Sequence, residues 1–197
     1  MASSQDVEEI KLIVGLGNPG AEYEGTRHNA GFLVIGSFAN ELGVNYWKQQ
    51  CGALVAKVNY KGKDLVLAKP QSYMNRSGGP TKLLMAEYKV AITELVVIHD
   101  ELDIDKGSAR IKFGGGHAGH NGLKSIIEKC GSKDFTRLRI GIGRPPGKMR
   151  VPDYVLGRPK GQEDELFDQA LADGLTCLNA MLDDGVPKAM SLLNAHK

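Results

Sequence analysis

The sequence predicts an α/β fold: a single domain over residues 1–197, built as a mixed β-sheet flanked by helices. Three observations carry this reading. Strand-like and helix-like segments alternate along the chain, the pattern of a sheet covered by helices. Two strand-like arms within 53–70 surround a Lys61-Gly62-Lys63 turn, a hairpin that makes the sheet mixed rather than purely parallel. The 197 residues contain no internal repeat and no linker, and suffice to bury one real core.

The elements follow in order. EIKLIVGL (9–16) is an apolar run rich in branched residues that ends in glycine, a buried strand. In 29–42 the apolar residues Phe32, Ile35, Phe38, Ala39 and Leu42 recur at helical spacing, with Gly43 as the stop. After the hairpin, the breaker SGGP precedes a helix over 81–90. Residues 94–103 form a strand that runs into polar residues, and 108–113 a strand that feeds a glycine-rich loop through Gly122. LKSIIEKC (123–130) reads as a helix and TRLRIGIG (136–143) alternates like a half-buried strand. The segment 144–161, with four prolines and three glycines, reads as a lid-like loop. A long amphipathic helix over 162–184 and a short one opened by Pro187 complete the chain. In such folds, sites gather outside the carboxyl ends of strands. That edge collects Asn18, the 69–77 loop, Asp100 and the 114–122 loop, with His28 nearby at the start of the first helix.

Composition narrows the function classes. Hydrophobic residues make up 42% and charged residues 24%, an ordinary globular balance. No run approaches the roughly 18 apolar residues of a membrane span. The opening MASSQDVEEI lacks the basic and apolar regions of a signal peptide, so a cytoplasmic location is expected, with residues 1–8 disordered or extended. Cys51, Cys130 and Cys177 are odd in number and far apart, which points to buried free thiols rather than disulfides or structural zinc. The net charge of +2 is unevenly spread: residues 106–150 hold eleven Lys/Arg against only Glu128 and Asp134. A positive face of that size suits a polyanion, most often nucleic acid.

Two kinds of motif need weighing. GLGNPG (15–20) fits the dinucleotide-binding glycine pattern, but Pro19-Gly20 and then Gly25 interrupt the chain before any helix begins, and the acid expected at a second strand end is Glu41, inside a helix. A tight turn exposing Asn18 fits better. The second kind is a set of polar clusters around Asn18, His28, Asn75 and the pair HDELD (99–103) with GGGHAGHNG (114–122). A neutral histidine can take a proton from water at pH 7 when a carboxylate holds its tautomer. His28 is such a base or a plain helix-start residue; Asp100 is its partner or a cap. Asn75 and Asn121 orient a water or oxyanion, or support turns. His117 and His120, with His99 or Asp100, could hold a metal, but glycines make a loose ligand frame. Lys112 and Arg139 clamp phosphate or are ordinary surface charge. With no Gly-x-Ser-x-Gly elbow and no cysteine beside a histidine, the kit suits water attacking an activated carbonyl.

Taken together, KLIVGLGNPGAEYEGTRHNAGF, SYMNRSG, HDELD, GGGHAGHNGLKSI and FTRLRIGIGRP with VLGRP occur in one order over roughly residues 10–160. In this the chain closely resembles bacterial-type peptidyl-tRNA hydrolases. The resemblance implies a single α/β domain with a twisted mixed sheet, monomeric and without an obligate protein partner. It implies hydrolysis of the ester joining a peptide to the tRNA 3′ ribose, which recycles tRNA from aborted translation, with no metal and no other cofactor. It matches His28 to the catalytic base, Asp100 to its supporting carboxylate and Asn18 to the residue that tells peptidyl from free aminoacyl ends. Tyr23, Tyr73, Met74, Asn75 and Asn121 match substrate-contacting positions, and His120 is counted with them. Lys112 and Arg139 match tRNA phosphate-binding positions. The rival is a catalytically silent RNA-binding or RNA-processing relative. If Lys112 contacts a phosphate, Lys112→Ala will weaken tRNA binding and reduce the slope of log affinity against log salt by about 1; a filter-binding series across salt concentrations measures this.

Overall fold

A computed structural model describes residues 9–195. Segment 1–8 lies outside the described residues. Seven strands form one sheet in the order β2-β3-β4-β1-β5-β7-β6. These are β1 (Leu12–Gly15), β2 (Lys48–Gln50), β3 (Ala53–Tyr60), β4 (Lys63–Pro70), β5 (Leu95–Glu101), β6 (Ala109–Phe113) and β7 (Thr136–Gly141). The central four, β4, β1, β5 and β7, run parallel, and antiparallel strands close both sides. The sheet is thus mixed, and the hairpin at 53–70 is its main antiparallel arm.

Helices cover both faces: α1 (Ala30–Glu41), α2 (Gly78–Glu87), α3 (Asn121–Cys130), α4 (Val151–Val155), α5 (Gln162–Asp184) and α6 (Val186–Asn194). Alternation along β1 divides the core. Ile13 joins Ile35, Phe38, Ile98, Ile140 and Leu178 under α1 and α5, while Leu12 and Val14 join Leu84, Val97 and Ile126 under α2 and α3. Each such fully buried side chain contributes about 1.5–3 kcal/mol. Both faces of β1 being covered explains why 9–16 reads as an unbroken apolar run.

Several elements depart from the sequence pattern for physical reasons. Strand β2 carries Lys48-Gln49-Gln50, which has no apolar alternation; pairing with β3 alone makes it an edge strand. Helix α2 begins at Gly78, inside the expected breaker. Pro80 sits in its first turn, where no N–H is needed, and a Cβ at Gly78 would strike the Ser125 carbonyl of α3. Helix α3 begins at Asn121, capped by His120. Strand β7 is interior rather than half-buried: Arg137, which sits where solvent is expected, is 2% exposed. In place of an unbroken loop over 144–161, the short helix α4 occupies 151–155. Cys177 is buried, whereas Cys51 and Cys130 are partly exposed.

The glycine-rich segment takes an unexpected route. Because β6 is antiparallel to β7, Phe113 lies level with Thr136, at the amino edge of the parallel strands. Residues 114–120 therefore start at the edge opposite Asp100 and run back along the sheet.

One close approach fixes the entry of α1. A Cβ on Gly31 would overlap the backbone of Leu16 and the carbonyl oxygen of Ile98, and a Cβ on Gly15 would overlap the Gly31 carbonyl. The helix thus lies directly on the backbones of β1 and β5. Backbone cannot step aside, so Gly31→Ala will cost about 3 kcal/mol and lower the melting temperature by about 6–12 °C, read by thermal denaturation.

Candidate active site

The carboxyl edge of the central strands opens into a cleft of about 580 Å³ lined by Asn18, His28, Tyr73, Met74, Asn75, Asp100, His120 and Asn121, with Leu102, Val151, Pro152, Val155 and Leu156 as an apolar wall. At its floor lies Asp100, one residue before the carboxyl end of β5 and only 3% exposed. Its carboxylate meets two imidazoles. His28 Nδ1 lies 3.0 Å from both carboxylate oxygens, and His120 Nε2 lies 2.9 Å from Oδ1. The two rings are 5.1 Å apart.

The hydrogen-bond network assigns both tautomers. His120 Nδ1 accepts from the backbone N–H of Gly122 and Leu123, at 3.2 and 3.3 Å, as the cap of α3. Its proton must then sit on Nε2 and point at Asp100. His28 donates Nδ1–H to Asp100, which leaves its Nε2 unprotonated in the neutral ring. The helix-start position of His28 is how it is presented: the 3-10 turn Arg27–Asn29 leads into α1.

Burial opposes ionisation of Asp100, but His28 and His120 override it and hold the carboxyl well below the usual range. Burial likewise opposes the charged form of His28, yet the charge and hydrogen bond of Asp100 outweigh it and raise the pKa above 6.5. The stability His28 contributes is therefore fully present below its unfolded value near 6.5 and is lost as pH rises through its folded pKa. His99, behind the site, is pushed down to about 3, chiefly by burial and then by His120, with Arg137 adding to it and Asp100 opposing. It stays neutral and donates Nδ1–H to the Asp100 carbonyl oxygen at 2.7 Å.

Asn18 is held with equal firmness. Its Oδ1 accepts from the Met74 N–H at 2.7 Å, which turns its amide NH2 toward the cleft. The Asn29 side chain brackets its backbone, accepting from Asn18 N–H at 2.9 Å and donating to Asn18 C=O at 3.0 Å. The turn at Asn18 thus belongs to this bracket rather than to a dinucleotide loop. Met74 is buried, while Asn75 and Asn121 stand exposed at the margins. Tyr23 flanks the mouth edge-on to Tyr73, ring centroids 6.3 Å apart.

Lys112 and Arg139 lie elsewhere, on the face of β6 and β7 rather than in the cleft. Lys112 is exposed; Arg139 is half-buried and 3.6 Å from Glu101. His117 is also outside, its Nδ1 accepting from the Gly119 N–H at 3.0 Å. The metal-like grouping among the described residues is instead His28, Asp100 and His120, whose donor atoms already meet through two N–H···O bonds.

Two residues that matter here escape sequence reasoning. Asn29 is hidden in the helix start beside His28. Arg27 is buried, lies 4.2 Å over the Tyr154 ring, and donates to Tyr154 O at 3.1 Å and Gly157 O at 3.3 Å. It also pairs with Glu163 at 2.7 Å, tying the His28 turn to α4 and α5. The Arg27 signal in sequence is only a cation beside a histidine.

If Asp100 is what raises His28, NMR titration will place the His28 pKa above 6.5, and Asp100→Asn will bring it below 6.5, because burial then acts alone. An unchanged value in the variant would show that another group sets it.

The family model for peptidyl-tRNA hydrolase matches residues 12–197. The peptidyl-tRNA hydrolase of Trichlorobacter lovleyi is 50% identical over 93% of this chain and 94% of its own length. That of Actinobacillus pleuropneumoniae serotype 5b is 45% identical over 97% of this chain and 100% of its own. The crystal structure of the Acinetobacter baumannii peptidyl-tRNA hydrolase superposes with a TM-score of 0.87 at 42% identity, covering 94% of this chain and 95% of that one. With its fold and nearly its whole length in common with these proteins, the chain belongs to the peptidyl-tRNA hydrolase family.

Proposed function

We propose that this chain hydrolyses the ester bond between the peptide and the tRNA 3′ ribose of peptidyl-tRNA, with His28 as general base and Asp100 as its supporting carboxylate. The observation that carries the reading is the His28–Asp100 pair, with Nδ1–H bound to the carboxylate at 3.0 Å and Nε2 left as the acceptor beside the cleft. In the mechanism, Nε2 takes a proton from water as the water oxygen attacks the ester carbonyl. The imidazolium that forms is stabilised by Asp100 and returns the proton to the leaving ribose oxygen. Among the described residues lining the cleft there is no Ser, Thr, Cys or Lys, which favours water over a covalent side-chain nucleophile.

The other residues take supporting roles. The Asn18 amide, fixed through Met74 and Asn29, can donate to the substrate carbonyl or to the peptide, a contact that would favour blocked over free aminoacyl ends. Asn75, Asn121 and the Tyr23–Tyr73 pair border the tRNA end, and the apolar wall of α4 borders the peptide. Lys112 and Arg139, away from the cleft on the basic face, would receive tRNA phosphate.

Incubation with an N-acylated aminoacyl-tRNA and with its free counterpart tests the reading. Release of the acylated amino acid alone is expected, and His28→Ala should lower turnover by roughly 10²–10⁴. Binding of tRNA without release would favour the silent RNA-binding alternative. Near-normal turnover in His28→Ala would reject His28 as the base.

A further inference from the structure

Arg137 is a buried cation with no part in the chemistry described above. Its guanidinium donates to the carbonyl oxygens of Gly115 and Gly116 and, at 3.4 Å, to that of Lys133. It lies 4.6 Å over the Phe135 ring. Burial, with Arg139 beside it, lowers its pKa to about 10 against the opposing charge of Glu101, so it stays charged at neutral pH. Backbone oxygens rather than a carboxylate receive its bonds. The planar fork is what allows one side chain to hold three of them.

The register shows what this grip controls. Arg137 is level with Val97, and Ile140, three residues on, is level with Asp100. Three strand residues measure about 10 Å. From Gly116 to His120 the chain advances four residues, at most about 14 Å. A segment held at Gly116 therefore has little slack before His120 must meet Asp100. Without the guanidinium, the next fixed point upstream is Gly114, whose N–H donates to Phe135 O at 3.0 Å. Six residues then separate anchor and imidazole, with about 21 Å of reach, and the α3 cap and the His117–His120 turn are left to hold His120 without support from upstream. Asn121, the first residue of α3, follows directly on that turn.

We propose that Arg137 is a positioning residue: by holding the Gly115–Gly116 turn it sets where His120 and Asn121 enter the cleft, and thereby keeps the His120 Nε2–H on Asp100. The catalytic consequence rests on the function proposed above; the placement of His120 does not. Arg137→Lys and Arg137→Gln test it. An ammonium cannot span three carbonyls, and an amide carries no charge. After circular dichroism confirms folding, proton NMR reads the His120 Nε2–H, a downfield signal shielded from exchange while Asp100 holds it. The signal is expected in the native protein and lost or broadened in the variants. Turnover of N-acylaminoacyl-tRNA should fall by about 10²-fold, as for a misplaced group, with KM little changed. A folded variant that retains the native His120 signal overturns the proposal, as does a loss confined to KM. If the glutamine variant does not fold, the lysine variant decides. If even the native protein releases nothing from the substrate, the function above fails, and the His120 signal alone judges Arg137.

Discussion

One buried carboxylate answering to two imidazoles organises this molecule. Asp100 has lost almost all contact with water, and an isolated anion there would be costly. Two N–H donors from different parts of the chain make it tolerable. The far sides of the two donors differ. His120 has its other nitrogen occupied by the backbone of α3. Among the described residues His28 has no such second partner, and its remaining lone pair is the one the proposed mechanism draws on. The same carboxylate that immobilises one ring leaves the other ready to take a proton.

Most of the surrounding architecture serves to deliver those two rings. His28 arrives on a turn bracketed by Asn29 within and Arg27 outside, at a helix that rests on bare backbone through Gly31. His120 arrives from the opposite edge of the sheet, along a glycine-rich segment that travels the length of β7. Glycine at 115, with φ of 101°, permits the backbone turn there. On the His28 route Gly15 and Gly31 let backbone approach backbone, and placement at the carboxyl edge follows from that closeness.

Much of this was legible from sequence. Helix α5 spans the expected 162–184, because its apolar spacing is regular and glycines stand at both ends. The strand-end rule brought Asn18, Asp100 and the 69–77 loop to the correct edge. It also named the 114–122 segment, whose His120 and Asn121 line the cleft, but by a route the rule does not give, because only strand pairing reveals that β6 runs backwards. Arg137 and Arg139 resembled the solvent side of a half-buried strand; covering by a returning loop is a tertiary fact with no local signature. His28 and Asp100 were each readable as candidates, but their contact bridges 72 residues, and no spacing rule predicts it. Asn29 and Arg27 escaped for the same reason, since their partners lie 11 and 127–136 residues away.

The reach of Arg27 has a consequence for how the protein is made. The residue beside His28 is secured by Tyr154, Gly157 and Glu163, which emerge from the ribosome long after it. Domains gain their structure as units once the required chain is available. A nascent or truncated polypeptide ending before about residue 163 can pair its early strands, yet its His28 turn lacks the clasp that belongs to it. The clasp closes only when the start of α5 is available, and the same late helix brings Phe167, Leu178 and Met181 to the core under the sheet.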